Sequence, residues 1–196
     1  MTAHAGTISL AAIAVGNRRF ELAGFPLPEV TATDGLLRVE ACGICGSDLK
    51  KFSPELMAPA ILGHETVGRI EEVGEIAART WGVQVGDRVL LEEYLPCGHC
   101  DYCRGGEFRS CRLTDNARED FLRYGSMPTS AAPALWGGYS EFQYLHLNSV
   151  LHAVPDTVEA EHASFAIPMS NGIQWAQVDG GVRPGDTVLI QGPGQQ

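Results

Sequence analysis

Short apolar runs broken by glycine and proline dominate the first 90 residues, and their period is closer to two than to 3.6. Between Ile8 and Glu21 two such runs flank Gly16-Asn17, the pattern of a hairpin. Phe25 to Glu29 carries two prolines and reads as a surface crossing. Leu36 to Ala41 alternates as a strand and delivers the chain into Cys42-Gly43. Ser53 to Pro59 reads as a loop, after which Ala60-Ile-Leu62 leads into Gly63-His64-Glu65. Thr66 to Val73 is strand-like, with Gly68 marking a bulge. Gly86-Asp87 is a turn signal, and the residues from Arg88 to Leu91 form the next strand. Many short strands joined by glycine-rich turns predict a mainly β fold built as a partly closed barrel, with an ordinary β-sandwich as the competing arrangement.

The pattern then changes. Pro96 to Cys111 is cysteine-rich, and Asn116 to Pro133 has little periodicity, so it reads as an extended loop anchored by Phe121, Leu122, Tyr124 and Met127. Alternation returns from Gly137 to Leu145 and from Leu151 to Val154, where Pro155-Asp156 stops it. Glu159 to Ala163 and Ile167 to Val178 suit helices, the second closed by Gly180-Gly181. Thr187 to Ile190 reads as an apolar strand running into Gly192-Pro-Gly194. A dinucleotide-binding fingerprint needs a third glycine and a following helix. The expected organisation is therefore a first domain over residues 1–160, with a small lobe at 95–113, and the truncated start of a nucleotide-binding α/β domain over 161–196.

Charge and composition narrow the function. The formal net charge of -10 disfavours nucleic acid, whose phosphates require a basic surface. No run of about 18 apolar residues could span a membrane. The first ten residues lack the basic and apolar regions of an export signal, which makes a cytoplasmic protein the expectation.

All six cysteines fall in two groups, the pattern of metal ligands rather than disulfides in a reducing compartment. Cys97, Cys100, Cys103 and Cys111 have the spacing C-x2-C-x2-C-x7-C, which suits a closed tetrahedral zinc site. An iron–sulfur centre and unliganded core cysteines are the rival readings. Gly98, Gly105 and Gly106 let the lobe turn tightly, and four protein ligands leave no open position, so the role is structural. In the other group, Cys45 and His64 offer zinc a soft and a borderline donor within about two dozen positions and are read as ligands of a second, catalytic metal.

Six motifs in order, Cys42-Gly-Ile-Cys45-Gly-Ser-Asp48, Gly63-His-Glu65-x-x-Gly68, Gly86-Asp-Arg-Val89, the four-cysteine lobe, Gly137-Gly-Tyr-Ser-Glu141 and Pro184-Gly-Asp-x-Val188, cover nearly the whole chain. In this combination the chain resembles the N-terminal part of a zinc-dependent medium-chain dehydrogenase/reductase, the family of zinc alcohol, polyol and threonine dehydrogenases. The resemblance implies a GroES-like catalytic domain followed by a Rossmann domain, with the active site in the cleft between them. It implies that Cys45 and His64 ligate catalytic zinc, that Glu65 lies beside the metal and can enter its coordination sphere, and that Asp48 fixes the His64 imidazole. Ser47 would pass the substrate proton outward. It further implies an NAD or NADP cofactor approached through Gly192 and Gly194, an alcohol or carbonyl substrate, and a homodimeric or homotetrameric parent enzyme.

Two positions depart from the family. A histidine that commonly ends the proton relay is replaced by Lys50, and the third zinc ligand, a Cys or Glu in relatives, is matched by Ile167, with Asn171 a poor substitute. Either Glu65 takes the third place, or the site is weak, empty or adapted to other chemistry. The expected function is hydride transfer between NAD(P) and an alcohol or polyol by the parent enzyme, the truncated chain itself being inactive. A zinc-free C=C or carbonyl reductase of the same fold and a non-catalytic zinc-stabilised scaffold are the alternatives.

Overall fold

The computed structural model describes residues 6–52, 58–115, 117–118 and 120–192. The first hairpin pairs β1 (Ile8–Ala14) with β2 (Phe20–Pro26) in antiparallel register from Ile8↔Pro26 to Ala14↔Phe20. Gly16, Asn17 and Arg18 all take positive φ in the turn, the conformation that glycine and asparagine accept most readily. Phe25 and Pro26, expected in a surface crossing, instead finish β2. This strand lies at the edge of its sheet, where a proline forfeits no ladder bond. The far side of β1 carries β4 (Ala60–Ile61).

The larger sheet is antiparallel, ordered β7-β3-β5-β6-β8, from β3 (Gly35–Gly43), β5 (Glu65–Val73), β6 (Arg88–Leu91), β7 (Phe142–Leu145) and β8 (Leu151–Ala153). Neighbouring side chains on β3 face opposite ways. Leu37 enters a cluster with Ile70, Leu91 and Leu145, while Leu36 joins Ala11, Ile13, Ile61 and Phe142 from both sheets. Both sheets are open, but they are laced together where Glu141 N donates to Leu10 O (2.9 Å) and Ala12 N donates to Tyr139 O (2.8 Å). Those backbone bonds make the barrel partly closed.

The bulge expected at Gly68 lies instead on its partner strand. Val39 pairs with Gly68 and Ala41 with Val67, leaving Glu40 as the extra residue. Glycine is required opposite it because a Cβ at position 68 would collide with the Arg38 carbonyl. The extra residue is held by charge, since Glu40 accepts from Arg69 (3.0 Å) and Arg88 (2.6 Å).

Helix α1 (Gly46–Lys51) follows β3, and α2 (Glu75–Trp81) ends on Gly82 at φ 67°. In the lobe, α3 (Asp101–Arg104) is followed by two 3-10 turns. In the loop after the lobe, Tyr124 is wholly buried, the firmest of its anchors. The helices expected near the end are α4 (Ala160–Ala163) and α5 (Ala166–Ile173), the latter continued by a π-helical turn to Asp179. Ala160, Ala163 and Ile167 pack against Val67 and Leu90 of the large sheet.

The strand expected at Thr187 to Ile190 does not form among the described residues: this stretch has no ladder partner, and Leu189 is 92% exposed. A strand of a parallel sheet is stable only when neighbours satisfy its backbone and cover its faces.

Candidate metal centres

The last residues of β3 aim the chain at the first centre. Cys45 caps α1, and its N–H donates to Asp48 Oδ2 (3.0 Å) three residues ahead. A strand end and a short helix therefore fix Cys45, Ser47 and Asp48 together. On the other side, β4 passes through Leu62 to Gly63, which turns at φ 89° and sets His64 and Glu65 at the start of β5. Glu65 pairs across the ladder with Gly43, where a Cβ would collide with the Glu65 carboxylate.

One ligating atom each from Cys45, His64 and Glu65 lies within 4.8 Å of the others. A thiol, an imidazole and a carboxylate converging from two elements fit the three-ligand set of an open zinc site. The His64 imidazole has its Nδ1 facing Asp48 Oδ1 at 3.5 Å, long for a hydrogen bond and without a closer partner. Its Nε2 lies 3.4 Å from Ser47 Oγ.

Burial acts to lower the His64 pKa, but Asp48 and Glu93 outweigh it and push the imidazole up to about 9. Burial also raises the Glu65 carboxyl above its usual range. Asp48 moves the other way: desolvation opposes its charge, yet His64 and the Cys45 and Tyr139 donors hold it below the ordinary carboxylate range. Cys42, two residues before the turn, is pushed up to about 12 by burial and packs against Gly63 and Gly138. It is a structural thiol.

The remaining site residues separate. Lys50 is exposed, whereas the neighbouring Lys51 reaches back to Gly125 O (2.8 Å) and Ser126 Oγ (2.5 Å), its pKa lowered by burial. Ile167 is buried in the apolar cluster behind β5, and Asn171 accepts from Arg109 (2.7 Å). Gly192 is exposed, and Gly194 lies outside the described residues. Of the aromatic and thioether side chains that could border a cleft, Trp136 is core, Met127 packs against it and Trp175 is half exposed. Tyr139 stands at the site, its hydroxyl donating to Asp48 Oδ2 (3.1 Å). Sequence reasoning missed this contact, and the Gly137-Gly138-Tyr139 motif was the one signal for it. Neither Lys51 nor Glu93 had a signal.

The second centre is the lobe. The four sulfurs of Cys97, Cys100, Cys103 and Cys111 lie within 4.8 Å of one another, with Cys97–Cys103 at 4.0 Å and Cys100–Cys103 at 3.5 Å. Zinc–sulfur bonds of about 2.3 Å in a tetrahedron require sulfur separations of about 3.8 Å. Backbone donors complete the fit. The amides of His99 and Cys100 point at the Cys97 sulfur and bring its pKa down to about 6, while Cys97 N donates to Cys111 Sγ (3.4 Å). Desolvation keeps Cys103 high, at about 12, although the Gly98 amide opposes it. A shell of N–H groups around clustered sulfurs suits thiolates rather than neutral thiols.

The mainly β chain thus carries a three-donor cluster and a four-cysteine lobe, each able to hold a metal ion. Residues 31–156 match the alcohol dehydrogenase GroES-like domain, and the chain belongs to that family. It is 39% identical over 191 residues to the Mycobacterium tuberculosis (strain ATCC 25618 / H37Rv) protein named "Probable alcohol dehydrogenase adh", covering 96% of this chain and 51% of that one. It is 32% identical over 199 residues to the erythritol/L-threitol dehydrogenase of Mycolicibacterium smegmatis (strain ATCC 700084 / mc(2)155), covering 94% and 51%. Among solved structures it is similar to alcohol dehydrogenase TADH from Thermus sp. ATN1, with a TM-score of 0.72 and 30% identity over 90% of this chain and 49% of that one. The chain spans about half the length of these relatives. Among the described residues no helix is long and apolar enough to cross a membrane.

Proposed function

We propose that this chain forms the zinc-binding catalytic half of a cytoplasmic dehydrogenase that moves hydride between NAD(P) and an alcohol or polyol. The convergence of Cys45, His64 and Glu65, with Asp48 behind the imidazole, carries this reading. In it, Glu65 takes the place that relatives fill with a ligand near Ile167. These three residues would hold a zinc ion, which would supply the Lewis acid that polarises an alcohol or carbonyl oxygen.

The chain's own groups do the rest. Asp48 faces Nδ1 of the His64 ring, which leaves Nε2 free to serve as the ligating atom. Ser47 Oγ, close to that nitrogen, is positioned to take the substrate's hydroxyl proton. Lys50 lies in solvent, so the proton leaves Ser47 to water. Cys97, Cys100, Cys103 and Cys111 hold a structural zinc that folds the lobe. The nicotinamide cofactor and any dimer or tetramer belong to the whole protein, as proposed for residues beyond the 1–160 domain, with Gly192 and Gly194 at the approach to the cofactor.

Elemental analysis of protein purified without added metal tests the reading. Two zincs per chain, falling to one in Cys45→Ala, are expected. One zinc unchanged by that substitution would overturn the catalytic site and shift the assignment to a zinc-free reductase of the same fold.

A further inference from the structure

We infer that Tyr139 is a positioning residue of the catalytic metal centre, acting on His64 through Asp48. This deepens the proposed zinc-site reading and rests on it. The Asp48 carboxylate divides its two oxygens between different partners. Oδ2 accepts the Cys45 N–H (3.0 Å) and the Tyr139 O–H (3.1 Å), while Oδ1 faces His64 Nδ1 (3.5 Å) and the Gly63 N–H (3.4 Å). Two donors on Oδ2 prevent the carboxylate from rotating, so Oδ1 stays directed at the imidazole. Tyr139 supplies the only one of these donors that belongs to a side chain from outside the segment between β3 and β5.

The ring is itself aimed by packing. It stands edge-on to Phe20 (centroids 6.3 Å apart), which stacks on Phe52 at the end of α1 (5.0 Å). Its other edge fills the space that a Cβ on Gly63 would occupy. Three residues before β7, the Tyr139 backbone bonds the smaller sheet twice, its N–H donating to Leu62 O just after β4 (3.0 Å) and its carbonyl accepting from Ala12 N of β1 (2.8 Å). The hydroxyl is thus carried on the seam that closes the barrel, and its position reports that closure to the metal ligands. Burial, with Asp48 and Cys42 beside it, leaves the phenol strongly disfavoured to ionise, so it acts as a donor.

The test is Tyr139→Phe, which keeps the ring and removes the hydroxyl, read by competition of each protein with a chromophoric chelator for Zn2+ and by the optical spectrum of the Co2+-loaded form. The expected result is about 10-fold weaker binding at the Cys45/His64/Glu65 centre, with the lobe metal and thermal midpoint unchanged, and a shifted His64 Nδ1–H proton resonance. Asp48→Asn serves as comparator and should weaken the same site at least as much. Two metals in the parent chain with unaltered affinity and resonance in Tyr139→Phe would overturn the inference while leaving the zinc reading intact. A single metal in the parent chain would overturn both.

Discussion

The Cys45 amide reaches Asp48 Oδ2 at 3.0 Å, so the residue that offers the thiol also fixes the carboxylate that stands behind the imidazole. Ligand and support are locked in one turn of chain, three residues apart. His64 comes from the turn between β4 and β5, and Asp48 is where the two meet, at 3.5 Å from Nδ1. The centre therefore depends on the α1 cap as much as on the donors themselves.

Asp48→Asn keeps the size of the side chain and its acceptor for the Cys45 amide but removes the charge facing His64. Zinc affinity at that centre should fall roughly 10- to 100-fold. The His64 pKa should fall as well, because the Asp48 carboxylate is the foremost of the groups that raise it against burial. Co2+ titration and histidine proton resonances across the pH range would check both, and an unchanged His64 titration would refute the pairing.

The lobe should fail differently. Cys111 is its buried cysteine, and its sulfur receives the Cys97 amide, so Cys111→Ala would leave three ligands and an orphaned donor. One zinc should be lost and stability should drop by more than about 4 kcal/mol, the range reached when a structural metal goes. Protease digestion followed by mass spectrometry should show first cuts between residues 97 and 111; protection equal to the parent chain would contradict a metal-dependent lobe.

The four-cysteine lobe was readable from spacing alone because short chemical intervals constrain thiols to one ion. The strand positions on either side of Cys45 and His64 followed from alternation and glycine turns. The bulge at Glu40 was not readable, because register depends on how β3 meets β5 and on Arg69 and Arg88 from distant sequence. Tyr139 reaches Asp48, and Lys51 reaches Gly125 and Ser126, only through tertiary closure, which no local pattern encodes. Thr187 to Ile190 misled in the opposite sense: its β-branched residues express a preference that neighbouring strands must realise.

Gly63→Ala tests the turn between β4 and β5. The residue sits at φ 89°, and a Cβ there would press on the Tyr139 ring at 2.6 Å. The backbone alone should cost about 1–3 kcal/mol, and relief of the clash would push Tyr139 away from Asp48. Urea unfolding should show the loss in stability, and zinc affinity at the Cys45 centre should fall with it while the lobe keeps its metal.

Tyr124→Phe separates the core from the chemistry. The Tyr124 hydroxyl is fully buried, pairs with Ser149 Oγ (2.8 Å) and accepts the His146 N–H (2.9 Å). Ser149 keeps a second partner in His146 O (2.6 Å), so the His146 amide is the group stranded by the substitution. An orphaned buried donor costs about 1–3 kcal/mol, and the ring itself still fills the cluster with Leu37, Leu91 and Trp136. The unfolding midpoint should move accordingly, with the zinc content of both centres unchanged. Loss of metal from the Cys45 centre in this variant would mean that the loop anchored by Tyr124, which bonds Lys51 through Gly125, supports the ligands more directly than its distance from them in sequence suggests.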